Sequence, residues 1–161
     1  MFWIDAIFGA PRARANRIFL VVALVQEEDA DKMLTLHIAT LYVICFLLNR
    51  TSGLARAVSF LRWLGRGKSG RAPRKIQELS NAELWRRLAQ GYRWLPLPVQ
   101  CLEQALIGWY FFNRYDRAAT LKIGLRLHPL YSHAWLECDG EILGGIAGLD
   151  LMEVMADYEP W

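Results

Sequence analysis

The chain has 161 residues, enough to bury one sizeable core, and its 54% hydrophobic content excludes a disordered protein. A net charge of +3 is too small to argue for nucleic acid, even alongside seven tryptophans. Cys45, Cys101 and Cys138 are odd in number and form no Cys-x-x-Cys pair. That argues against a disulfide framework or a structural metal site, and for a reducing cytoplasm.

The opening segment, "MFWIDAIFGAPRARANRIFLVVALVQEEDADK", is not read as a signal peptide. Asp5 is acidic, no basic region leads it, and the apolar run Ile18 to Val25 holds only eight residues. Residues 2–26 are expected to form one or two short helices broken near Gly9 and Pro11. A further helix is expected over 27–49, with the acids of "EEDADK" at its N-terminus, where the helix dipole favours them. Its stretch Met33 to Leu48 spans 16 residues, roughly 24 Å of helix against roughly 30 Å of bilayer hydrocarbon. It also carries Thr35, His37 and Thr40, so it is read as a buried core helix, with a membrane anchor as the alternative.

"SGLARAVSFLRWLG" sets Leu54, Ala57, Val58, Leu61 and Leu64 at helical spacing. Residues 65–75, "GRGKSGRAPRK", carry five basic residues among Gly, Ser and Pro and read as a loop. That loop is either a solvated linker or a basic contact for an acidic peptide or partner. Ser80 lies three residues before Glu83, the spacing of a capping box, so a helix is expected from there to about Gly91. Pro96 and Pro98 then hold the chain extended. A buried helix, "CLEQALIGWYFFN", begins at or next to Cys101.

The last third changes period. "ATLKIGLRL" alternates, with Ala119, Leu121, Ile123 and Leu125 on one side and Thr120, Lys122 and Arg126 on the other. "YSHAWLEC" alternates again, with His133, Trp135 and Glu137 on one face, and Asp139-Gly140 is a hairpin turn leading to a third strand, "EILGG". The fold class is α+β: helices first, then a small antiparallel sheet packed on the helix that begins at Cys101.

A helix N-terminus lowers a thiol's pKa, and a thiolate nucleophile needs a base to handle its proton. Cys101 and His133 are residues of the right kind for those two roles. Each also has a plain structural reading, as a small buried residue and as a satisfied core histidine. Cys45 sits in mid-helix and Cys138 points away from the His133 face, so neither is expected to react. His128, before Pro129, reads as a turn residue.

"CLEQAL", a strand, and then "HPLYSHAWLECDGEIL" together resemble the transglutaminase-like peptidase domain of the lasso-peptide biosynthesis B proteins. In that family a Cys-Leu pair opens a helix, and a strand of the form hydrophobic-x-His-Ala-Trp-Val-Glu-x-x-Gly follows. Here Cys101-Leu102 is followed, 32 residues after the cysteine, by His133-Ala134-Trp135-Leu136-Glu137 and then Gly140. The likeness runs in detail from about Leu95 to Leu143.

The resemblance implies N-terminal helices (1–75, ending in the basic linker) ahead of a transglutaminase/papain-like cysteine peptidase core (76–161). It makes Cys101 the nucleophile and His133 the general base, with no metal or cofactor. The family's third member is an aspartate on the strand after the turn, but the matching position here is Gly145. Glu137 shares the histidine's face, roughly 7 Å away between Cα atoms. Asp150 is the carboxylate placed to swing back as third member; a backbone carbonyl or side-chain amide could orient His133 instead. Gln100 and the Cys101 N–H are candidate oxyanion donors, and Trp135 and Glu137 candidate substrate contacts.

The implied activity is leader removal from a ribosomally made precursor peptide through a thioester, ahead of ring closure by an ATP-dependent cyclase. The 100 residues before Cys101 read as helical, with no place for the leader-recognition module of fused relatives. A small separate protein is therefore expected to present the leader. The alternative is a non-catalytic scaffold of the same fold that binds leader or cyclase.

Overall fold

A computed structural model describes residues 12–66, 73–92, 95 and 99–161. Gly9, Pro11, Pro96, Pro98 and the middle of the basic loop lie outside them. The chain divides into two compact units, one ending at Leu36 and the other running from His37 to Trp161.

Helix α1 runs without interruption from Arg12 to Ser52. The "EEDADK" acids are therefore inside a helix and do not start one. The reason is local: no Gly or Pro falls between Arg12 and Ser52, and an established helix propagates at one hydrogen bond per residue added. Gly53, at φ +83°, ends it. Within the second unit α1 buries Ile38, Leu41, Tyr42 and Cys45, while Val43 and Leu47 remain half exposed. The expected core helix is thus buried on one side only. By length and composition alone, Lys32–Ser52 also suffices to cross a membrane, at a mean hydropathy of 1.5 with 22% buried.

Helix α2, Leu54–Arg66, buries Ala57, Val58, Leu61 and Gly65. A short turn of helix, α3 (Arg74–Gln77), follows Pro73 where the basic loop was expected to continue. Helix α4, Asn81–Tyr92, opens on the expected capping box: Ser80 N–H donates to Glu83 Oε2 at 2.9 Å and Glu83 N–H to Ser80 Oγ at 3.2 Å. Helix α5 spans Cys101–Arg114 and is buried at ten positions from Glu103 to Asn113.

Four antiparallel strands follow: β1 (Ala119–Arg126), β2 (Tyr131–Cys138), β3 (Glu141–Leu143) and β4 (Glu153–Tyr158), in the order β3-β2-β1-β4. β1 and β2 pair in unbroken register from Ala119↔Cys138 to Arg126↔Tyr131. Asp139 and Gly140 both have positive φ, 51° and 79°, which is the two-residue turn whose twist matches its flanking strands. The α+β class read from the sequence is the observed one.

The core forms where α5 meets the sheet and α1, α2 and α4 close around it. Trp109, Phe112, Leu106 and Ile107 of α5, Leu121 and Leu136 of the sheet, Leu61, and Leu84 and Leu88 are all at or near zero exposure. Asn113 joins helix to sheet: its Nδ2 donates to the carbonyls of Trp109 and Ala119, and its Oδ1 accepts the Ala119 N–H. Arg117 ties the α5–β1 turn to the carbonyls of Ile76 and Leu79 and to Asn81 Oδ1. At the far end, Trp161 stands edge-on to Trp109 at 4.5 Å and fills the space beside Gly65.

Candidate active site

The three thiols occupy different surroundings. Cys45 is fully buried, and burial, with the Glu103 charge second, pushes it up to about 12. Cys138 is also buried; burial first, then Asp139, pushes it up to about 11, and its S–H lies 3.7 Å from Asp139 Oδ2. Both stay protonated at neutral pH and are poor nucleophiles. Cys101 alone is partly exposed, and it is the first residue of α5.

The chain around Cys101 is held by its neighbours. Gln100 is extended (φ −82°, ψ 167°) and ends the segment that enters the helix; its carbonyl accepts the Gln104 N–H at 3.1 Å. Gln104 donates its side-chain amide to the Val99 carbonyl, and Tyr92 O–H donates to the Gln104 carbonyl. The Gln100 side chain makes no capping bond and is exposed.

His133 is the third residue of β2 and only 7% exposed. Its Nε2 lies 2.7 Å from the carbonyl oxygen of Gly144. A carbonyl can only accept, so Nε2 carries the hydrogen and the neutral ring keeps its lone pair on Nδ1. Nδ1 is buried and has no hydrogen-bond partner among the described residues. No hydrogen bond joins Cys101 to His133 among those residues.

The same face of β2 carries a ladder of rings. Tyr131 and His133 stack at 6.3 Å, and His133 and Trp135 at 6.4 Å with planes 9° apart. Trp135 lies over Gly124, where a Cβ would meet its ring at 2.9 Å. Leu136 serves the other face, against Gly108 of α5. This two-sided packing explains why four successive residues of β2 are buried.

The carboxylates near this ladder are engaged elsewhere. Glu137 Oε1 accepts from Trp135 Nε1 at 3.2 Å, and its Oε2 pairs with Lys122 at 2.7 Å. The Lys122 contact is the chief cause holding the Glu137 carboxyl below its ordinary value. Asp150 is exposed in the 3-10 turn Leu149–Leu151 and does not bond His133, whose one hydrogen-bond partner among the described residues is the Gly144 carbonyl. Gly145, where the resemblance led to an expected aspartate, brings no side chain to the ring.

The backbone carbonyl that the sequence reading allowed as an alternative to Asp150 is that of Gly144, a residue it did not name, and Trp85 was not anticipated at all. A Cβ at Gly144 (φ +73°) would fall 2.6 Å from Cζ2 of Trp85, and one at Gly108 would fall 2.4 Å from its Cζ3. The indole therefore sits between two glycines, one on α5 and one on the turn after β3. The available signal was the Gly144-Gly145 pair directly after a strand.

Among the described residues no cluster of three or more His, Cys, Asp or Glu is placed to hold a metal ion. A family model described as "Transglutaminase-like superfamily" matches residues 43–156. No curated protein and no solved structure matches.

Proposed function

We propose a function that starts from one premise: the chain belongs to the transglutaminase-like superfamily. On that premise Cys101 and His133 are the nucleophile and base of a cysteine peptidase. The observation that carries the reading is His133 itself. One ring nitrogen is fixed by a carbonyl and the other is buried with no hydrogen-bond partner among the described residues, as a base awaiting a proton requires. The accessible thiol at the head of α5 supplies the nucleophile.

The Cys101 sulfur attacks the scissile carbonyl carbon as its proton passes to His133 Nδ1. The tetrahedral oxyanion is received by the Cys101 N–H and the Gln100 amide. Collapse breaks the C–N bond, and the proton on Nδ1 goes to the departing amine. Water, deprotonated by the same nitrogen, then hydrolyses the thioester and regenerates the thiol. Tyr131, exposed at the end of the ring ladder, is the ring there that a bound peptide can reach, and the buried Trp135 supports His133 from below.

The substrate class is a ribosomally made lasso-peptide precursor. The enzyme removes the leader in the cytoplasm, a small recognition protein presents that leader, and an ATP-dependent cyclase takes the freed core. The "CLEQAL" and "HPLYSHAWLECDGEIL" segments support this finer reading. Purified chain, precursor and recognition protein are mixed and the products weighed by mass spectrometry. The expected result is one cut between leader and core, lost in Cys101→Ala with recognition-protein binding retained. Cleavage that survives the substitution ends the proposal.

A second reading, a non-catalytic scaffold that binds leader or cyclase, draws on the unjoined Cys101 and His133 and on a neutral carbonyl where the family has a carboxylate. A thiol-reactive probe separates the two: a scaffold shows no unusually fast labelling at Cys101.

A further inference from the structure

We infer that the Gly144 carbonyl takes the place of the missing third side chain, and that Trp85 is the positioning residue that aims it at His133. The inference rests on the peptidase reading for its purpose, but its geometry stands without it. The Gly144 oxygen is 2.7 Å from Nε2, a short bond for a neutral donor and acceptor. Such a bond selects the tautomer with hydrogen on Nε2 and leaves Nδ1 as the acceptor, which is the work a third member does.

A backbone carbonyl is only as well aimed as its peptide plane. Gly144 is in the left-handed region at φ +73°, a conformation glycine adopts at no steric cost. Trp85 lies against the Gly144 Cα from one side and against Gly108 of the buried helix α5 from the other. The ring is thus a spacer of fixed thickness between the cysteine-bearing helix and the carbonyl that holds the histidine. A side chain at either glycine displaces it.

The replacement also has an electrostatic consequence. A carboxylate stabilises the imidazolium by its charge, whereas an amide carbonyl offers only a dipole. In this chain the orienting group therefore fixes the ring and its tautomer through a dipole and geometry, not through a charge.

The test uses the full chain with 15N-labelled histidine. Wild type is expected to show a solvent-protected Nε2–H proton on His133, distinguishable from the exposed His37 and His128 by their substitution to Gln. Gly108→Ala replaces a helical glycine with a better helix former, and its new methyl pushes chiefly Trp85, at 2.4 Å, and more lightly the end of the flexible Leu136 side chain, at 3.0 Å. That variant is expected to lose the protected signal and to drop kcat for cleavage about tenfold, the worth of one hydrogen bond, with KM little changed. Gly108→Ala combined with Trp85→Phe, which restores room, is expected to recover both.

A hydrogen on Nδ1 in wild type, or a protected Nε2–H that persists unchanged in Gly108→Ala, overturns the inference. Intact cleavage in Cys101→Ala would instead overturn the peptidase reading, and the two failures are read from different instruments. Circular dichroism confirms that each variant is folded before its signal is scored.

Discussion

Helices α1 and α5 are both rich in apolar residues and both carry a cysteine, yet the fold treats them differently. α5 is surrounded, with ten of its fourteen residues buried between the sheet and α2 and α4. In its second unit α1 is covered along one side, where Cys45 lies, and leaves Val43 and Leu47 half exposed. The result is a reversal of chemistry. The cysteine in mid-helix on the covered side is a packed hydrophobe, pushed up to about 12 by burial. The cysteine at the end of the more buried helix is the accessible one, because a helix terminus emerges from the core whatever its middle does. Position along a helix, more than apolarity around it, decides whether a thiol can react.

The largest effect that tests this contrast is on turnover. Cys101→Ala should lower leader cleavage by more than about 10³-fold, while Cys45→Ala keeps the activity of whatever fraction folds. Thiol labelling of the native protein should likewise modify Cys101 first and reach Cys45 and Cys138 only after denaturant is added. If Cys45 reacts as fast as Cys101, the contrast fails.

Stability should follow burial. Trp109→Ala in α5 is expected to cost about 3–5 kcal/mol in a denaturant titration. Leu47→Ala on the open side of α1 should cost less than about 1 kcal/mol. Equal losses would mean that α1 is covered on both sides.

A smaller, pH-dependent effect separates the helices again. The folded-state pKa of Cys45 lies above its unfolded value, so the folded protein keeps a proton that the unfolded chain gives up first. Its contribution to stability is fully present below about 9 and is lost as pH rises toward 12. Tyr92, raised by burial and then by Cys45, acts in the same direction. Denaturation midpoints should therefore decline as pH rises from about 9 toward 12, and Cys45→Ala should flatten the decline. A midpoint independent of pH over that range would remove Cys45 from the account. The smallest change is at the surface, where Ser80→Ala should cost about 1 kcal/mol through the lost cap of α4.

Much of the fold was legible because its signals are short-range. The start of α5 at Cys101, the alternation of β1 and β2, the Asp139-Gly140 turn and the Ser80–Glu83 box each follow from a few adjacent residues. The single helix α1 was not, since acids suited to a helix start are also tolerated in its middle. β4 was missed for a different reason. A register shift at Ile123/Gly124 lets Val154 and Met155, adjacent in sequence, both be exposed, so the strand shows no period-two pattern. At the site, Cys101 and His133 were nameable as residue types. A backbone carbonyl was among the groups expected to orient His133, but which one was not legible, because a main-chain oxygen is owned by every residue and only the fold brings that of Gly144 to the ring.

The sequence by itself determined which side chains are available for chemistry: one thiol at a helix start, one histidine on a strand, and no aspartate where the resemblance leads one to expect it. Those facts are written in local periodicity and turn chemistry, whose range is a few residues. Only the tertiary structure decided which thiols are shut away and what holds the histidine. Burial and backbone direction are set by elements far apart in the chain, and here Trp85, Gly108 and Gly144, from three of them, meet at one ring.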